Sequence, residues 1–203
     1  MKHTKTHDKE SIIVLTEDFS DNRLGWELTQ NQTESASITE SGYYLKNSSM
    51  SHWHHFSIFP DIASLQNTRI QCRIEIDPTS GPGQMGLIWG FDKKMSRLNR
   101  FCLSTEGRGC SVLHFQKNHQ PVFHRFYEPF VAINRAKPVV LGIAEKYGYW
   151  SFYINKKLVY IGHQIHFSHL GNGIGFYLDP GVSITVQKIR ITQKKTNKAF
   201  SLN

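Results

Sequence analysis

The sequence predicts an all-β fold, built either as two packed antiparallel sheets or as a closed barrel. Two observations carry that expectation. Short β-branched and aromatic runs, separated by Gly, Pro, Asn and Asp, recur along all 203 residues, and the 3.6-residue apolar periodicity of helices is nearly absent. The length is a third guide, because one large β-sandwich uses about this many residues in a single domain.

Taken in order, the elements begin with a strand over Ile12–Thr16, after a polar, charged opening. Residues 1–14 are expected to be a polar N-terminal segment, 15–193 the domain, and 194–203 a basic tail. Further short strands are expected over Gly42–Lys46 and His52–Ile58, with the one plausible helical turn around Asp61–Leu65. Arg69–Asp77 gives the clearest strand signal. Ile70, Cys72, Ile74 and Ile76 fall on one face, and Arg69, Gln71, Arg73, Glu75 and Asp77 on the other.

Met85, Leu87, Trp89 and Phe91 alternate with Gly86 and Gly90, which marks a central strand closely approached by its neighbours. Phe101–Thr105, Val112–Gln116 and Val139–Glu145 follow as strands. Trp150, Phe152 and Ile154 then alternate with Tyr149, Ser151 and Tyr153, and Asn155 opens a turn into Leu158–Ile161. The chain closes with Ile174–Leu178 and a long last strand. In that strand Val182, Ile184 and Val186 share one parity while Ile189 and Ile191 take the other, as a β-bulge produces.

The order of several short motifs resembles the concanavalin A-like lectin/glucanase superfamily, in particular bacterial laminin-G-like or glucanase-like jelly-roll modules. Asp18-Phe19-Ser20-Asp21-Asn22 with Gly25-Trp26 is similar to the opening strand of such modules, and Gly42-Tyr43-Tyr44-Leu45 to the next. Gly86-Leu87-Ile88-Trp89-Gly90, the hairpin Tyr149–Asn155, Gly173-Ile174-Gly175-Phe176 and Lys188–Thr192 complete the series. Lys156 stands where that hairpin usually has Gly. The resemblance covers Glu17 to Thr192 and implies a jelly-roll β-sandwich of two antiparallel sheets, a scaffold that hosts enzymes, lectins and protein-binding modules alike.

Whether the chain is a glycosidase turns on the stretch RIEIDPTS at 73–80. Retaining glycosidases need two carboxyl groups about 5 Å apart, and the resemblance implies a Glu-x-Asp-x-Glu or Glu-x-Asp-x-x-Glu strand to supply them. Here Thr79 and Ser80 occupy the places of the second Glu, and Pro78 ends the strand's hydrogen bonding beside them. Arg73 also shares a face with Glu75, which favours a permanently ionised carboxylate. No enzyme is therefore expected; a hydrolase alternative would have to pair Glu75 with Glu106, Glu128 or Asp179.

Other chemistry is thinly represented. His52, His54 and His55 surround Trp53, and His163, His166 and His169 recur every three residues, a spacing that alternates faces on a strand. There is no Gly-x-Ser-x-Gly elbow. Gly171–Gly175 holds glycines but precedes a strand instead of a helix. No cofactor or metal is expected, with calcium kept as the one alternative: the calcium sites of some lectins and laminin-G modules need clustered Asp and Asn, and the sequence has no dense acidic loop. Cys72, Cys102 and Cys110 form no CxxC pair and read as reduced structural thiols.

The resemblance implies a curved front sheet on which sugar faces stack against aromatic rings. The residues assigned to that groove are Trp89, Tyr149 and Tyr153, with Arg100 and His124 as polar readers; the parity of Trp89 fits the core equally well. The expected function is a non-catalytic, lectin-like module whose partner is a carbohydrate, with a protein partner or glucanase-type hydrolysis as alternatives.

Charge bears on the remaining classes. Twenty-four Lys and Arg against sixteen Asp and Glu give +8, but the basic residues are scattered. The run Lys93 to Arg108 holds five against Glu106, and the last ten residues hold Lys194, Lys195 and Lys198 without an acid, so with the charge spread in this way nucleic acid is not the expected partner. Four apolar residues at 12–15 are too few for a signal peptide, which points to the cytoplasm, and no apolar run is long enough to span a bilayer. Asn31-Gln32-Thr33 and Asn47-Ser48-Ser49 match the glycosylation pattern, read as accidents of composition.

Overall fold

A computed structural model describes residues 11–51, 53–58, 67–92, 97–116, 120–127, 133–163, 167, 171 and 173–194, with the backbone alone for 53–58, 116 and 120–127. Every regular element in these residues is a β-strand, and no helix is long and apolar enough to cross a membrane. The strands are β1 (Ser11–Glu17), β2 (Thr29–Gln30), β3 (Glu34–Thr39), β4 (Gly42–Asn47), β5 (Trp53–Ile58), β6 (Thr68–Ile76), β7 (Gln84–Asp92) and β8 (Arg97–Ser104). They continue with β9 (Cys110–Gln116), β10 (Gln120–Tyr127), β11 (Val139–Lys146), β12 (Tyr149–Ile154), β13 (Lys157–His163), β14 (Gly173–Leu178) and β15 (Ser183–Lys194). One sheet runs β13-β12-β11-β6-β15-β4-β3-β2, with β1 also paired to β15; the other runs β10-β9-β8-β7-β14-β5.

Alternation decides which residues meet between the sheets. Ile70, Cys72, Ile74 and Ile76 of β6 lie in the core with Trp150, Phe152 and Ile154 of β12. Met85, Leu87 and Trp89 of β7 and Phe101 and Leu103 of β8 face them from the six-stranded sheet. Trp89 packs against Trp150, Phe152 and Phe167 with ring centroids 5.6–6.0 Å apart. Gly86 is required by close approach: a Cβ there would sit 2.3 Å from the Phe101 carbonyl oxygen. Phe91 departs from the expected parity. Gly90 turns to φ 67°, the β7–β8 register slips between Trp89 and Asp92, and Phe91 joins a second apolar cluster with Ile88, Leu98, Cys102 and Tyr177.

The bulge expected in the last strand is present. The β15–β6 register shifts between Val186 and Lys188, so Val186 and Ile189 are both fully buried. At the β12–β13 turn Asn155 and Lys156 have φ of 49° and 71°. Lys156 thus adopts the left-handed conformation that related hairpins give to glycine. The sheet also reaches further back than the sequence suggests: Ser11 pairs with Lys194, inside the stretch set aside as an N-terminal segment. Three strands not anticipated are β2, only two residues long, β3, whose Ser and Thr content hides its alternation, and β10, which contains Pro121. His52 and the helical turn at 61–65 lie outside the described residues.

The family-like motif at 18–26 is a core-closing loop. Phe19 and Trp26 are buried with Tyr43 and Phe176 in one aromatic cluster. Glu17 is fully buried beneath them; its carboxylate accepts the Phe19 N–H at 2.8 Å and the Trp26 indole N–H at 3.3 Å.

Candidate functional site

On the side of the six-stranded sheet away from the core, a cross-strand row is set by pairing alone: His124 opposite Leu113, Leu113 opposite Arg100, Arg100 opposite Ile88, Ile88 opposite Gly175. Two glycines, Gly86 and Gly175, keep the middle of this face low. Arg100 is its principal cation. The guanidinium carbon lies 3.6 Å from the Tyr177 ring centroid and 4.9 Å from that of Phe115.

Tyr177 is fixed in turn, because its hydroxyl donates to Asp179 Oδ1 and the other oxygen of Asp179 accepts the Gln84 N–H at 2.7 Å. Gln84 Oε1 accepts the Ser111 hydroxyl at 3.2 Å. Burial, followed by the hydrogen bond to Asp179, pushes the Tyr177 hydroxyl far above the ordinary tyrosine range, so it is a neutral donor. Burial also pushes the Cys102 thiol up to about 12, which leaves it unreactive at neutral pH.

The five residues assigned to one groove are divided among three places. Trp89 is fully buried between the sheets and offers no ring face to a ligand. Tyr149 and Tyr153 do point outward, but β12 belongs to the nine-stranded sheet, across the core from Arg100. There Tyr149 is half exposed and meets His163 edge-on at 5.0 Å. Tyr153 lines a hollow of about 280 Å³ with Glu145, Thr192 and Arg69, whose guanidinium lies 5.8 Å from its ring. Arg100 and His124 are brought together, in one row two strands apart.

The carboxylates suspected of catalysis do not gather either. Glu75 lies on β6 of the nine-stranded sheet, where Gln187 donates to it at 2.8 Å and accepts from Arg73 at 2.7 Å. Asp77 closes a turn: its Oδ1 accepts both the N–H and the hydroxyl of Thr79, at 2.7 and 2.6 Å. The same arrangement recurs at Asp18 with Ser20, Asn31 with Thr33 and Asn47 with Ser49. Asx-x-Ser/Thr is therefore this chain's turn device, and it accounts for the DPT sequence and for both glycosylation-like patterns. Glu106 pairs with Arg108 at 3.3 Å, Asp179 is engaged as above, and Glu128 lies outside the described residues. The six strands around Arg100 contain one acidic residue, Asp92, at a sheet end opposite Arg97.

Comparison with solved structures settles the architecture. A Bacillus subtilis protein of unknown function with a galectin-like fold superposes at TM-score 0.63 and 11% identity, covering 90% of this chain and 97% of its own. A 1,3-α-1,4-β-D-galactose-4-sulfate-3,6-anhydro-D-galactose 4 galactohydrolase gives 0.64 and 11%, covering 96% and 99%. The chain has the concanavalin A-like lectin/glucanase fold. The Bacillus licheniformis β-glucanase agrees, at 0.62 and 9%, covering 89% of this chain and 98% of its own. No family model and no curated protein sequence matches the chain. In this concanavalin A-like sandwich, the strand once suspected of catalysis is β6, between β11 and β15 of the nine-stranded sheet.

Proposed function

We propose that the protein is a non-catalytic carbohydrate-binding module, and that its ligand lies along the outer face of the six-stranded sheet. One observation carries this reading. The six strands hold an arginine set on two aromatic rings, yet their only acid is Asp92, so they lack the pair of carboxylates about 5 Å apart that retaining hydrolysis requires. Sugars present apolar C–H faces and dense hydroxyls, and ring faces beside fixed polar groups match both. Phe115 supplies partly exposed ring surface, and Gln84 and Asp179 supply fixed polar groups, with buried Ser111 holding Gln84 in place.

The fold likeness supports a carbohydrate-related role, since the galactohydrolase and the β-glucanase act on polysaccharides by their names. Tyr149 and Tyr153 form the competing face, with the hollow beside Tyr153 as its specific feature. The test is a glycan array with and without calcium, followed by a reducing-end assay on every glycan bound. Binding without new reducing ends is the predicted result. Release of reducing ends would overturn the non-catalytic reading, and a blank array would remove the carbohydrate.

A further inference from the structure

We infer that the ligand class is an anionic saccharide, carrying carboxylate or sulfate groups, and that Arg100 is the residue that selects it. This rests on the binding reading above. The outward positions of the six strands carry Arg100, His54 and His124, whereas Arg125, His55 and His114 take the core-facing parity, and the strands' single acid is Asp92. Asp92 is the register partner of Arg97 at the sheet end. No Asp or Glu occupies any position of the row running from His124 through Leu113, Arg100 and Ile88 to Gly175, nor of the next, from Phe126 through Ser111, Cys102 and Gly86 to Tyr177 and His54. Among the described residues Asp179, at the end of β14, is already held by Gln84 and Tyr177.

Sugar hydroxyls both give and accept hydrogen bonds, whereas carboxylate and sulfate oxygens only accept, so a row whose charge is a donor without an acid beside it favours the anionic group. Among the described side chains of the rows the charged one is Arg100, a donor that cannot accept. Arg100 adds geometry: a guanidinium lying on ring faces hydrogen-bonds through its in-plane edge, and that fork matches the two oxygens of a carboxylate or sulfate. Lysine at the same place would keep the charge and lose the fork.

The experiment titrates the full chain with an oligogalacturonate, a sulfated galactan oligosaccharide, a neutral β-glucan oligosaccharide of equal length and a single-stranded oligonucleotide. Each titration is run at about 50 and about 300 mM NaCl, where screening of exposed charge differs strongly. The expected result is that at least one anionic glycan binds about tenfold or more tighter than the neutral one, with the gap narrowing at high salt. The carboxylated and sulfated arms tell the two sources apart. Arg100→Lys and Arg100→Gln are both expected to erase the preference while leaving the melting profile cooperative; if Arg100→Gln fails to fold, Arg100→Lys and the wild-type comparison still decide. Equal affinity for the neutral glycan, or an anionic preference untouched by Arg100→Lys, overturns this inference and leaves the carbohydrate reading standing. Binding of the oligonucleotide with no glycan bound overturns both.

Discussion

Replacing Asn47 with Ala should destabilise the protein more than any other single polar-to-Ala change at its surface-near corners. Asn47 ends β4 of the nine-stranded sheet and is fully buried, and its amide donates to the Leu178 carbonyl at the end of β14 in the other sheet, at 3.1 Å. It also donates to the Ser51 carbonyl at 2.8 Å and accepts the N–H and hydroxyl of Ser49 at 3.0 and 2.6 Å. Ser49 and Ser51 are near solvent, so water replaces much of what they lose; the contact to the buried Leu178 carbonyl ties the two sheets together and has no water to replace it. At about 1 kcal/mol net for each hydrogen bond lost, offset in part by water at Ser49 and Ser51, the loss comes to roughly 1–3 kcal/mol. That is a large part of the ~5–15 kcal/mol a domain has in total.

Asn47→Asp makes the sharper comparison. The carboxylate keeps both contacts to Ser49 but sets an oxygen against two carbonyls, so at neutral pH it should be at least as damaging as Ala. Urea unfolding followed by tryptophan fluorescence reads both, because Trp26, Trp89 and Trp150 are all buried. A loss under about 0.5 kcal/mol for Ala, or an Asp variant milder than Ala, would refute the reasoning.

Other outcomes follow from the same contacts. Gly86→Ala should lower the urea midpoint, by roughly 1–3 kcal/mol of stability, since its Cβ would press on the Phe101 carbonyl and on Cys102; an unchanged midpoint contradicts that. Glu75→Gln should leave glycan binding unaltered, because Glu75 is held by Gln187 on the opposite sheet; any loss measured on the array would count against the placement of the site. The three buried thiols should resist Ellman's reagent at pH 8 in the native state and react completely in denaturant; rapid native labelling would contradict their burial. For pH, burial raises all three thiols, Cys102 to about 12 from 9.0. Their stabilising contribution is thus complete below pH 9 and is lost progressively above it, as the unfolded chain ionises first. Urea titrations at pH 8 and 10 check the sign, and a stability that rises across that interval would contradict it.

Most of the fold was legible because alternation reports a half-buried strand directly. Ile70–Ile76 and Trp150–Ile154 sit where their parity put them, and the parity break after Val186 marked a true bulge. The second break, at Gly90, was hidden: a glycine in a strand signals close approach as readily as a bulge, and Phe91 changed sides unannounced. The candidate site was less legible for a different reason. Parity tells inward from outward, but it does not say to which sheet a strand belongs, so Tyr149 and Tyr153 read as neighbours of Arg100 although the core separates them. Arg100 with His124 emerges only from pairing across β8, β9 and β10. Tyr177 and Asp179 went unnoticed as a pair, although two residues apart at a strand end they had the spacing for contact. The repeated Asx-x-Ser/Thr turns could have been found in the sequence, and they would have explained Asp77 without recourse to catalysis.

The measurement that bears most directly on the account is amide hydrogen exchange with and without a saturating glycan from the array. The account predicts new protection in β8 and β14, over Arg97–Ser104 and Gly173–Leu178, with β12 and β13 unchanged. Protection confined to Tyr149–Ile154 and Lys157–His163 would place the ligand on the nine-stranded sheet and contradict it.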